Sequence, residues 1–167
     1  MDIRKNKIGV LGGSFDPAHK GHLAISKDEK QRLKLKKIIW AITKKNPFKK
    51  ESTTNLQTRI QKCKKIIGDK SYIKVRFYED LIKSNKTIDL INYLLKDKKI
   101  EIYFIMGADN LINFHKWDKW KIIAKKCIII VFDRHGYKKK SLNSMTFRRL
   151  SKKKFKFIEF NKVNISS

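Results

Sequence analysis

The stretch that decides the fold reads Gly12-Gly13-Ser14-Phe15-Asp16-Pro17-Ala18-His19-Lys20-Gly21-His22-Leu23, directly after the apolar run Ile8–Leu11. A strand that leads into two glycines and a helix start is typical of a nucleotide loop, since glycine allows close backbone approach and helix N-termini attract anions. The glycine pair alone would equally fit an ordinary turn. The two histidines favour a phosphate loop, although no dinucleotide glycine motif and no Gly-Lys-Ser/Thr ending is present.

Two histidines three residues apart could also begin a metal site. Such a site needs a third ligand, and His115 and His135 are remote in the sequence with no cysteine or carboxylate cluster beside them. We therefore expect His19 and His22 to act on phosphate, and we expect no side chain of this chain to bind a metal ion directly.

The length of 167 residues suits one domain, residues 1–167. No apolar run approaches the ~20 residues of a membrane span, and residues 1–7 do not resemble a secretory signal, so we expect a cytoplasmic protein without membrane contact. Cys63 lies in a helix-like segment and Cys127 begins an apolar strand. Both are predicted to be buried, reduced thiols rather than a disulfide or a nucleophile.

The formal net charge is +27, from 42 basic and 15 acidic residues, and a nucleic-acid partner must therefore be considered. Lysine supplies most of these cations and occurs in nearly every segment. Base readout favours arginine and exposed aromatic side chains, so this pattern indicates solvated lysine-rich faces and at most non-specific binding of nucleic acid.

Short apolar strands alternate with amphipathic helices, which predicts an α/β fold: a Rossmann-like parallel sheet with helices on both faces. The predicted strands are Ile8–Leu11, Ile38–Ile42, Tyr72–Phe77, Ile100–Met106, Cys127–Phe132 and Phe155–Phe160. The predicted helices are His22–Leu35, Asn55–Ile67, Ile88–Lys96, Trp117–Lys125 and Ser144–Leu150, with Lys44–Thr54 and Gly136–Asn143 as surface loops. Ligands of such sheets bind at strand carboxyl ends near a topological switch, where Gly12–His22 and Gly107–Asp109 should both emerge.

The first loop resembles the signature of the nucleotidylyltransferase superfamily, Gly-[Ser/Thr]-Phe-Asp-Pro followed by [His/Thr]-x-Gly-His. Within that superfamily, the chain from Ile8 onward is most similar to the bacterial nicotinate-nucleotide adenylyltransferases. Further segments resemble motifs of this family in the same order: Asn46-Pro47-Phe48-Lys49, Thr87-Ile88-Asp89, Met106-Gly107-Ala108-Asp109-Asn110-Leu111 with Phe114, Trp117 and Trp120, and Arg134-His135-Gly136.

Some positions depart from the family pattern. Lys86 and Leu90 stand where the family has tyrosine and a second threonine, and His135 replaces a proline. The residues Asn164-Ile165-Ser166-Ser167 resemble the opening of the family's Ile-Ser-Ser-Thr-x-Ile-Arg motif, and we expect the phosphate-binding motif to be cut at Ser167. The preference for nicotinate or nicotinamide mononucleotide and the oligomeric state stay open.

The resemblance implies a nucleotidylyltransferase-type enzyme of NAD biosynthesis that transfers the adenylyl group of ATP to nicotinate mononucleotide. It implies that Mg²⁺ accompanies ATP, with a water-mediated contact to Asp109 as the expected link to the protein. It implies catalytic roles for His19 and His22. It implies ATP contacts from Gly13, Ser14, Phe15, Gly107, Asp109, Arg134 and Ser166. It implies mononucleotide contacts from Lys49, Thr87, Asp89 and Trp117.

Several of these residues have plain structural alternatives. Asp109 could be a helix N-cap, Trp117 and especially Trp120 could pack in the core, and Arg134 could be a surface side chain. Two further functions also stay open: another adenylyl- or cytidylyltransferase of the same fold, such as phosphopantetheine adenylyltransferase, or a non-enzymatic basic protein that binds nucleotides or RNA.

Overall fold

The structure is a computed structural model that describes residues 4–44, 54–133, 136–150 and 154–159. Six strands form one sheet in which every neighbouring pair is parallel, in the order β3-β2-β1-β4-β5-β6. The strands are β1 (Asn6–Gly13), β2 (Lys37–Ile42), β3 (Ile73–Arg76), β4 (Ile100–Gly107), β5 (Ile128–Asp133) and β6 (Phe155–Glu159). The predicted Rossmann-like parallel sheet is confirmed.

Helices connect the strands and cover the sheet. They are α1 (Lys20–Leu33), α2 (Leu56–Ile67), α3 (Glu79–Ile82), α4 (Thr87–Leu94), α5 (Ala108–Asn113), α6 (Trp120–Lys126), α7 (Lys138–Leu142) and α8 (Met145–Arg149), and a 3-10 helix spans Phe114–Lys116.

Two hydrophobic cores lie on opposite faces of the sheet. Alternate residues of β2 belong to different cores: Ile39 packs with α4, α5 and α6, whereas Ile38 and Trp40 pack with α1 and α2. Because both faces are covered, the central strands are apolar at nearly every position, as parallel strands of α/β proteins usually are. Because the strands are buried on both faces, continuous apolar runs in the sequence predicted their positions correctly.

Element boundaries differ from the predicted ones where a local feature overrides the apolar pattern. Helix α1 begins at Lys20 rather than at His22, because His19 already caps it. Helix α6 begins at Trp120 rather than at Trp117, because Lys119 adopts a left-handed φ of 52° and interrupts the helix. Helices α3 and α5 and the 3-10 helix were not predicted, since each is too short to show a full apolar period.

The predicted surface loop Gly136–Asn143 is wrong, because helix α7 occupies most of it. A run of lysines shows no apolar period, but the Ser141 side chain is fully buried and donates from Oγ to the carbonyl of Lys138 at 2.9 Å. Helix α7 packs against α5, and this tertiary contact stabilises a segment with no local helix signal. Most of the other predicted loop, Lys44–Thr54, lies outside the described residues.

The topological switch lies between β1 and β4. The chain passes from β1 to β2 and β3 on one side, and then returns to β4, β5 and β6 on the other. Leu11 pairs with Ile105 across this boundary, so the glycine pair that ends β1 and the glycine that ends β4 emerge beside each other. This is the place predicted for a ligand.

In the part of the chain that the structure describes, no helix has the length and apolar character needed to cross a membrane. Cys63 and Cys127 are free and buried, as predicted. Burial raises the pKa of each thiol to about 12, and neither is therefore a thiolate nucleophile at neutral pH.

Candidate active site

The N-terminus of α1 is capped by two imidazoles. The Gly21 N–H donates to Nδ1 of His19 at 3.0 Å, and the His19 N–H donates to Nδ1 of His22 at 3.2 Å. Since a backbone N–H can only donate, Nδ1 of each ring must be the unprotonated nitrogen. The neutral rings therefore carry their proton on Nε2.

This capping changes one expectation about the loop. The N–H of Gly21 is bound by His19 Nδ1, and the N–H of His22 donates to the His19 carbonyl at 3.1 Å. These helix N–H groups are therefore not open to a phosphate. This differs from the sequence-based expectation that the helix N-terminus would bind one.

The His22 ring is held in an aromatic cluster. Its side chain is 8% exposed and lies 4.6 Å from the Phe15 ring centroid, 4.0 Å from His19 and 5.8 Å from Trp40. Trp40 stacks on Phe15 at 5.0 Å, and its indole N–H donates to Ser26 Oγ at 2.8 Å. The position of His22 is thus fixed by rings on several sides.

Ser26 completes this support. Its hydroxyl accepts from Trp40 and donates to the His22 carbonyl at 2.8 Å, so one chain of hydrogen bonds joins β2 to the first turn of α1. All the polar atoms of this chain are buried, and such satisfied networks hold side chains in one geometry. The start of α1 is therefore rigidly attached to the sheet.

The glycine pair does not form the turn. Gly12 and Gly13 are the last residues of β1 and pair with Ala41 and Ile42 of β2. The chain reverses at Asp16 and Pro17, and Phe15 before them adopts a left-handed φ of 50°. A Cβ on Gly12 would meet only the Phe104 ring at 3.8 Å, so the protein itself leaves room there and a ligand can use it.

A cavity of about 300 Å³ opens over the carboxyl ends of β1, β2 and β4. Its floor contains Gly12, Gly13 and Phe104, and its wall contains Thr87 and Trp117. The structure thus brings together Gly13, which the resemblance assigned to ATP, and two residues that it assigned to the mononucleotide. The volume suits a small organic ligand.

The outer wall of the cavity is charged. Lys86 and Lys116 line it together with one carboxylate, Asp118, and the Lys86 ammonium lies 3.6 Å from that carboxylate. The two side chains of this ion pair are about half exposed, 57% and 47%. Water therefore screens the pair, and it restrains Lys86 only weakly.

Trp117 faces the cavity and also contacts the core. Its ring lies edge-on to Phe114 at 5.1 Å and to Phe104 at 6.0 Å, whereas Trp120 contacts Phe114 at 5.9 Å and does not line the cavity. Trp120 is therefore a core-packing residue, whereas Trp117 packs against the core and also lines the cavity. These near-perpendicular ring contacts fix the angle of the Trp117 ring at the cavity.

Asp89 holds a turn rather than lining the cavity. Its Oδ2 accepts from Ser84 Oγ at 2.6 Å, and the same hydroxyl accepts from the Lys86 N–H at 3.1 Å. This arrangement fixes the entry into α4, and with it Thr87. Asp89 does not line the cavity, and its direct contact with a mononucleotide stays a prediction.

Gly107 and Asp109 lie at the start of α5, at the carboxyl end of β4. Gly107 is the N-cap and Asp109 is in the first turn, so the N-cap alternative for Asp109 is wrong. A Cβ on Gly107 would collide with Oδ1 of Asp109. The carboxylate can therefore occupy this position only because residue 107 is glycine. A negative group in the first turn of a helix is also favoured by the helix dipole.

Some predicted site residues lie outside the described residues: Lys49, Arg134, Ser166 and the substituted position His135. Within the described ranges, no three His, Cys, Asp or Glu side chains are grouped so that they could hold a metal ion.

Sequence reasoning missed several residues of the site. Lys116 and Asp118 line the cavity and flank Trp117, and Asn110 lines it from inside the Met106–Leu111 motif, so the motif residues beside them were a usable signal. Ser26 lies four residues after His22 on α1, and its hydrogen bond to the His22 carbonyl follows helical spacing. Trp40 lies on β2 and reaches Ser26 and His22 only after the sheet has formed, so no spacing rule could have shown that contact.

The geometry defines a class of protein: a parallel α/β fold with a histidine-capped phosphate loop at its topological switch, as expected for a nucleotidyl-transferring enzyme. Residues 10–167 match the cytidylyltransferase-like family model. A probable nicotinate-nucleotide adenylyltransferase of Pelagibacter ubique is 68% identical over 167 residues, which cover 100% of this chain and 93% of that protein. A probable nicotinate-nucleotide adenylyltransferase of a Bradyrhizobium species is 37% identical over 87% of this chain and 77% of that protein.

The chain therefore belongs to the nicotinate-nucleotide adenylyltransferases of the cytidylyltransferase-like family, and the resemblance noted in its motifs is confirmed. A solved structure agrees in fold. The Plasmodium falciparum nicotinic acid mononucleotide adenylyltransferase complexed with NaAD has a TM-score of 0.77 with 22% identity, covering 95% of this chain and 77% of that chain.

Proposed function

We propose that this protein transfers the adenylyl group of ATP to nicotinate mononucleotide and so makes the adenine dinucleotide of nicotinate, a step of NAD biosynthesis. The observation that carries the proposal is the position of His19 and His22 at the start of α1, in the loop that follows the cavity-lining Gly12 and Gly13 at the end of β1. Family membership supports the same reaction.

The reaction joins two anions. An oxygen of the mononucleotide's 5′-phosphate attacks the α-phosphorus of ATP, a new P–O bond forms, and the bond to the β-phosphate oxygen breaks with its electron pair leaving on pyrophosphate. A phosphate monoester has a second pKa of about 6, so this nucleophile is already mostly dianionic at neutral pH. The site therefore needs no general base.

The protein must align the reactants and stabilise the charge that builds up on the α-phosphate and the leaving group. We assign the Nε2–H of His22 to the α-phosphate, because that ring is the more rigidly held. His19, at the N-cap, is assigned to the β- and γ-phosphates. Gly13, Ser14 and Phe15 offer backbone contacts, while Gly107 and Asp109 are assigned to the adenosine.

The cavity is proposed to hold the nicotinate ring and ribose. Trp117 offers its ring face, Thr87 a hydroxyl at the start of α4, and Lys86 and Lys116 two ammonium groups. Nicotinate mononucleotide carries a carboxylate as well as a phosphate, and the excess of positive charge at this wall favours such a ligand. Lys49 is assigned to the same ligand from its motif alone.

Mg²⁺ fits this site as a companion of ATP rather than as a protein-bound ion. The described residues offer no three-ligand group, and Mg²⁺ usually keeps several waters and binds through one or two carboxylates plus substrate phosphates. Asp109, in the first turn of α5, is the carboxylate proposed to accept one of those waters. When bound, the ion would neutralise charge on the β- and γ-phosphates.

A pyrophosphate-release assay tests the proposal. The purified protein is incubated with ATP, Mg²⁺ and one acceptor: nicotinate mononucleotide, nicotinamide mononucleotide or phosphopantetheine. We expect release with nicotinate mononucleotide and formation of the corresponding dinucleotide by mass spectrometry. Release only with phosphopantetheine would favour the other adenylyltransferase function, and no release with any acceptor would contradict the proposed reaction.

A further inference from the structure

One buried guanidinium joins the phosphate loop to both ends of the segment that contains Lys49. Arg59, on α2, is 2% exposed. Its Nη1 donates to the Ser14 carbonyl at 2.8 Å and to the Thr43 carbonyl at 2.6 Å, its Nη2 to the Lys44 carbonyl at 3.0 Å, and its Nε to the Thr54 carbonyl at 3.0 Å. All four acceptors are backbone atoms.

Such an arrangement is specific to arginine. The guanidinium is always charged and presents its N–H groups in a fixed planar fork, so its donors reach carbonyls of three segments at once. Each hydrogen bond from a charged donor is stronger than a neutral one. A lysine at this position would keep the charge but could not hold the same set of carbonyls.

The Ser14 carbonyl is the informative partner of Arg59. A trans peptide places its C=O and the following N–H on opposite sides, so fixing the Ser14 oxygen also fixes the direction of the Phe15 N–H, away from Arg59. Among the described residues, that N–H has no hydrogen-bond acceptor. Phe15 itself has the left-handed φ of 50°, a conformation that persists in a bulky residue only when its surroundings impose it.

The surroundings of Phe15 impose this conformation from two directions. Its ring is 1% exposed and stacks on Trp40, while Arg59 holds the preceding carbonyl. The Phe15 ring and the peptide before it are thus both fixed, and the Phe15 ring lies 4.6 Å from the His22 ring. Because the two residues are in contact, we expect the Phe15 N–H and the His22 imidazole to serve the same anion.

We propose that Arg59 is a positioning residue that sets the peptide between Ser14 and Phe15, so that the Phe15 N–H is presented to the ATP phosphates beside His22. The same guanidinium joins that peptide to Thr43 and Lys44, at the end of β2. This inference rests on the proposed adenylyl transfer for its ligand, but its structural consequence can be measured without turnover.

The first test observes the Phe15 amide directly. The chain contains ten phenylalanines, so selective ¹⁵N-phenylalanine labelling gives a short amide spectrum, and the variant Phe15→Leu identifies the signal of interest. Addition of the α,β-methylene analogue of ATP is expected to shift this signal in the wild-type protein and to leave it nearly unshifted in Arg59→Lys. The other phenylalanine amides report whether the variant is folded.

The second test separates positioning from general stability. Arg59→Ala is expected to lower kcat/KM for ATP by about a hundredfold, the scale of a small misplacement in an active site, with a much smaller change in KM for nicotinate mononucleotide. Added guanidinium at millimolar concentration should restore part of the activity, although it is a denaturant. The control Arg32→Ala removes an exposed arginine paired with Asp28 and should leave both constants unchanged.

The outcomes distinguish this inference from the proposed reaction. An inactive wild-type protein would contradict the reaction, but a Phe15 amide that responds to the analogue only when Arg59 is present would still support the positioning role. A Phe15 signal that shifts equally in wild type and Arg59→Lys would overturn it. Equal losses toward both substrates without guanidinium rescue would also overturn it and leave Arg59 a structural brace.

Discussion

The two sides of the candidate site are built in opposite ways. The phosphate side, Gly13–His22, is held by buried groups: the Phe15 and Trp40 rings, the Ser26 hydroxyl and the Arg59 guanidinium. The acceptor side consists of Asn85–Thr87 and Lys116–Asp118, with exposed ammonium groups and one ion pair of 3.6 Å. One side has a fixed geometry, and the other can adjust.

This difference matches the demands of the two substrates. Stabilising charge on a phosphate during transfer needs donors that are in place beforehand, because reorganisation would raise the barrier. Recognising a charged ring needs the correct sign of charge near the ligand, which mobile ammonium groups supply at low structural cost. We therefore expect substitutions on the phosphate side to lower kcat and those on the acceptor side to raise KM.

The largest effect is expected for the Nε2 group of His22. In His22→Asn the amide oxygen can replace Nδ1 as the acceptor of the His19 N–H, but nothing replaces the Nε2–H donor. We expect kcat to fall by at least about a hundredfold, the scale for losing one transition-state donor, with little change in KM for nicotinate mononucleotide. Steady-state kinetics and a thermal melt of the same sample measure both properties.

The matched variant for this comparison is His22→Gln, whose amide nitrogen can take the place of Nε2 while the Nδ1 acceptor is lost. It should keep more activity than His22→Asn and unfold at a lower temperature. If the two variants lost the same activity, the separate roles assigned to the two ring nitrogens would be wrong.

The free energy of unfolding should depend on pH through Glu29, which lies on α1 behind the phosphate side. This α1 side chain is fully buried, its carboxylate oxygens have no hydrogen-bond partner among the described residues, and burial, with help from Asp28, raises its pKa to about 8. A raised folded-state pKa favours folding while the group is protonated. The contribution of Glu29 to stability should therefore be greatest below the usual pKa of 4.5 and fall by about 1.4 kcal/mol per pH unit toward pH 8.

Denaturant unfolding at several pH values measures this slope. Glu29→Gln places a neutral side chain of the same shape at the position and should remove that part of the pH dependence. The difference between wild type and variant is the relevant quantity, because the other titrating groups contribute equally to both. A difference independent of pH between 5 and 8 would disprove the assignment to Glu29.

A smaller effect is expected on the acceptor side. Lys86→Met removes one ammonium group and frees Asp118, whose charge is then unpaired at the cavity wall. Because the side chains are about half exposed, we expect KM for nicotinate mononucleotide to rise only about two- to fivefold, within the range of exposed ion pairs, and kcat to stay the same. Lys121→Met, on α6, is the control. A large loss of kcat in Lys86→Met would contradict the view that the acceptor side can adjust its geometry.

The smallest effect concerns the overall charge of +27. Binding of RNA that rests only on phosphate neutralisation should be weak, independent of base sequence and lost as salt is raised. Fluorescence anisotropy with two RNA oligonucleotides of different sequence, measured over a salt series, decides this. Selective binding that survives high salt would favour the RNA-binding alternative over the enzyme.

Much of the fold was predictable because its strands are buried on both faces. The apolar runs of β1, β2 and β4 placed the strands within a few residues, and the alternation with helices gave the parallel sheet. The lysine-rich α7 and the short α5 could not be predicted in this way, since contacts between them, rather than a local pattern, keep them helical.

The site was predictable to the extent that its residues lie in continuous motifs. The sequence by itself determined the histidine pair, the glycine pair, the tryptophan of the acceptor side and the strand ends that bring them together, because local spacing and strand order are properties of the chain. The assignments of Lys49, Arg134 and Ser166 stay predictions, as do the direct roles of the other motif residues.

Only the tertiary structure decided which nitrogen of each histidine carries the proton, that the glycine pair belongs to β1, and that Arg59 binds the phosphate loop from α2. The physical reason is common to all three. Each depends on the direction of a backbone group, which is set by dihedral angles and by the partner that the group meets in the folded chain, and residue types and spacings do not specify that direction.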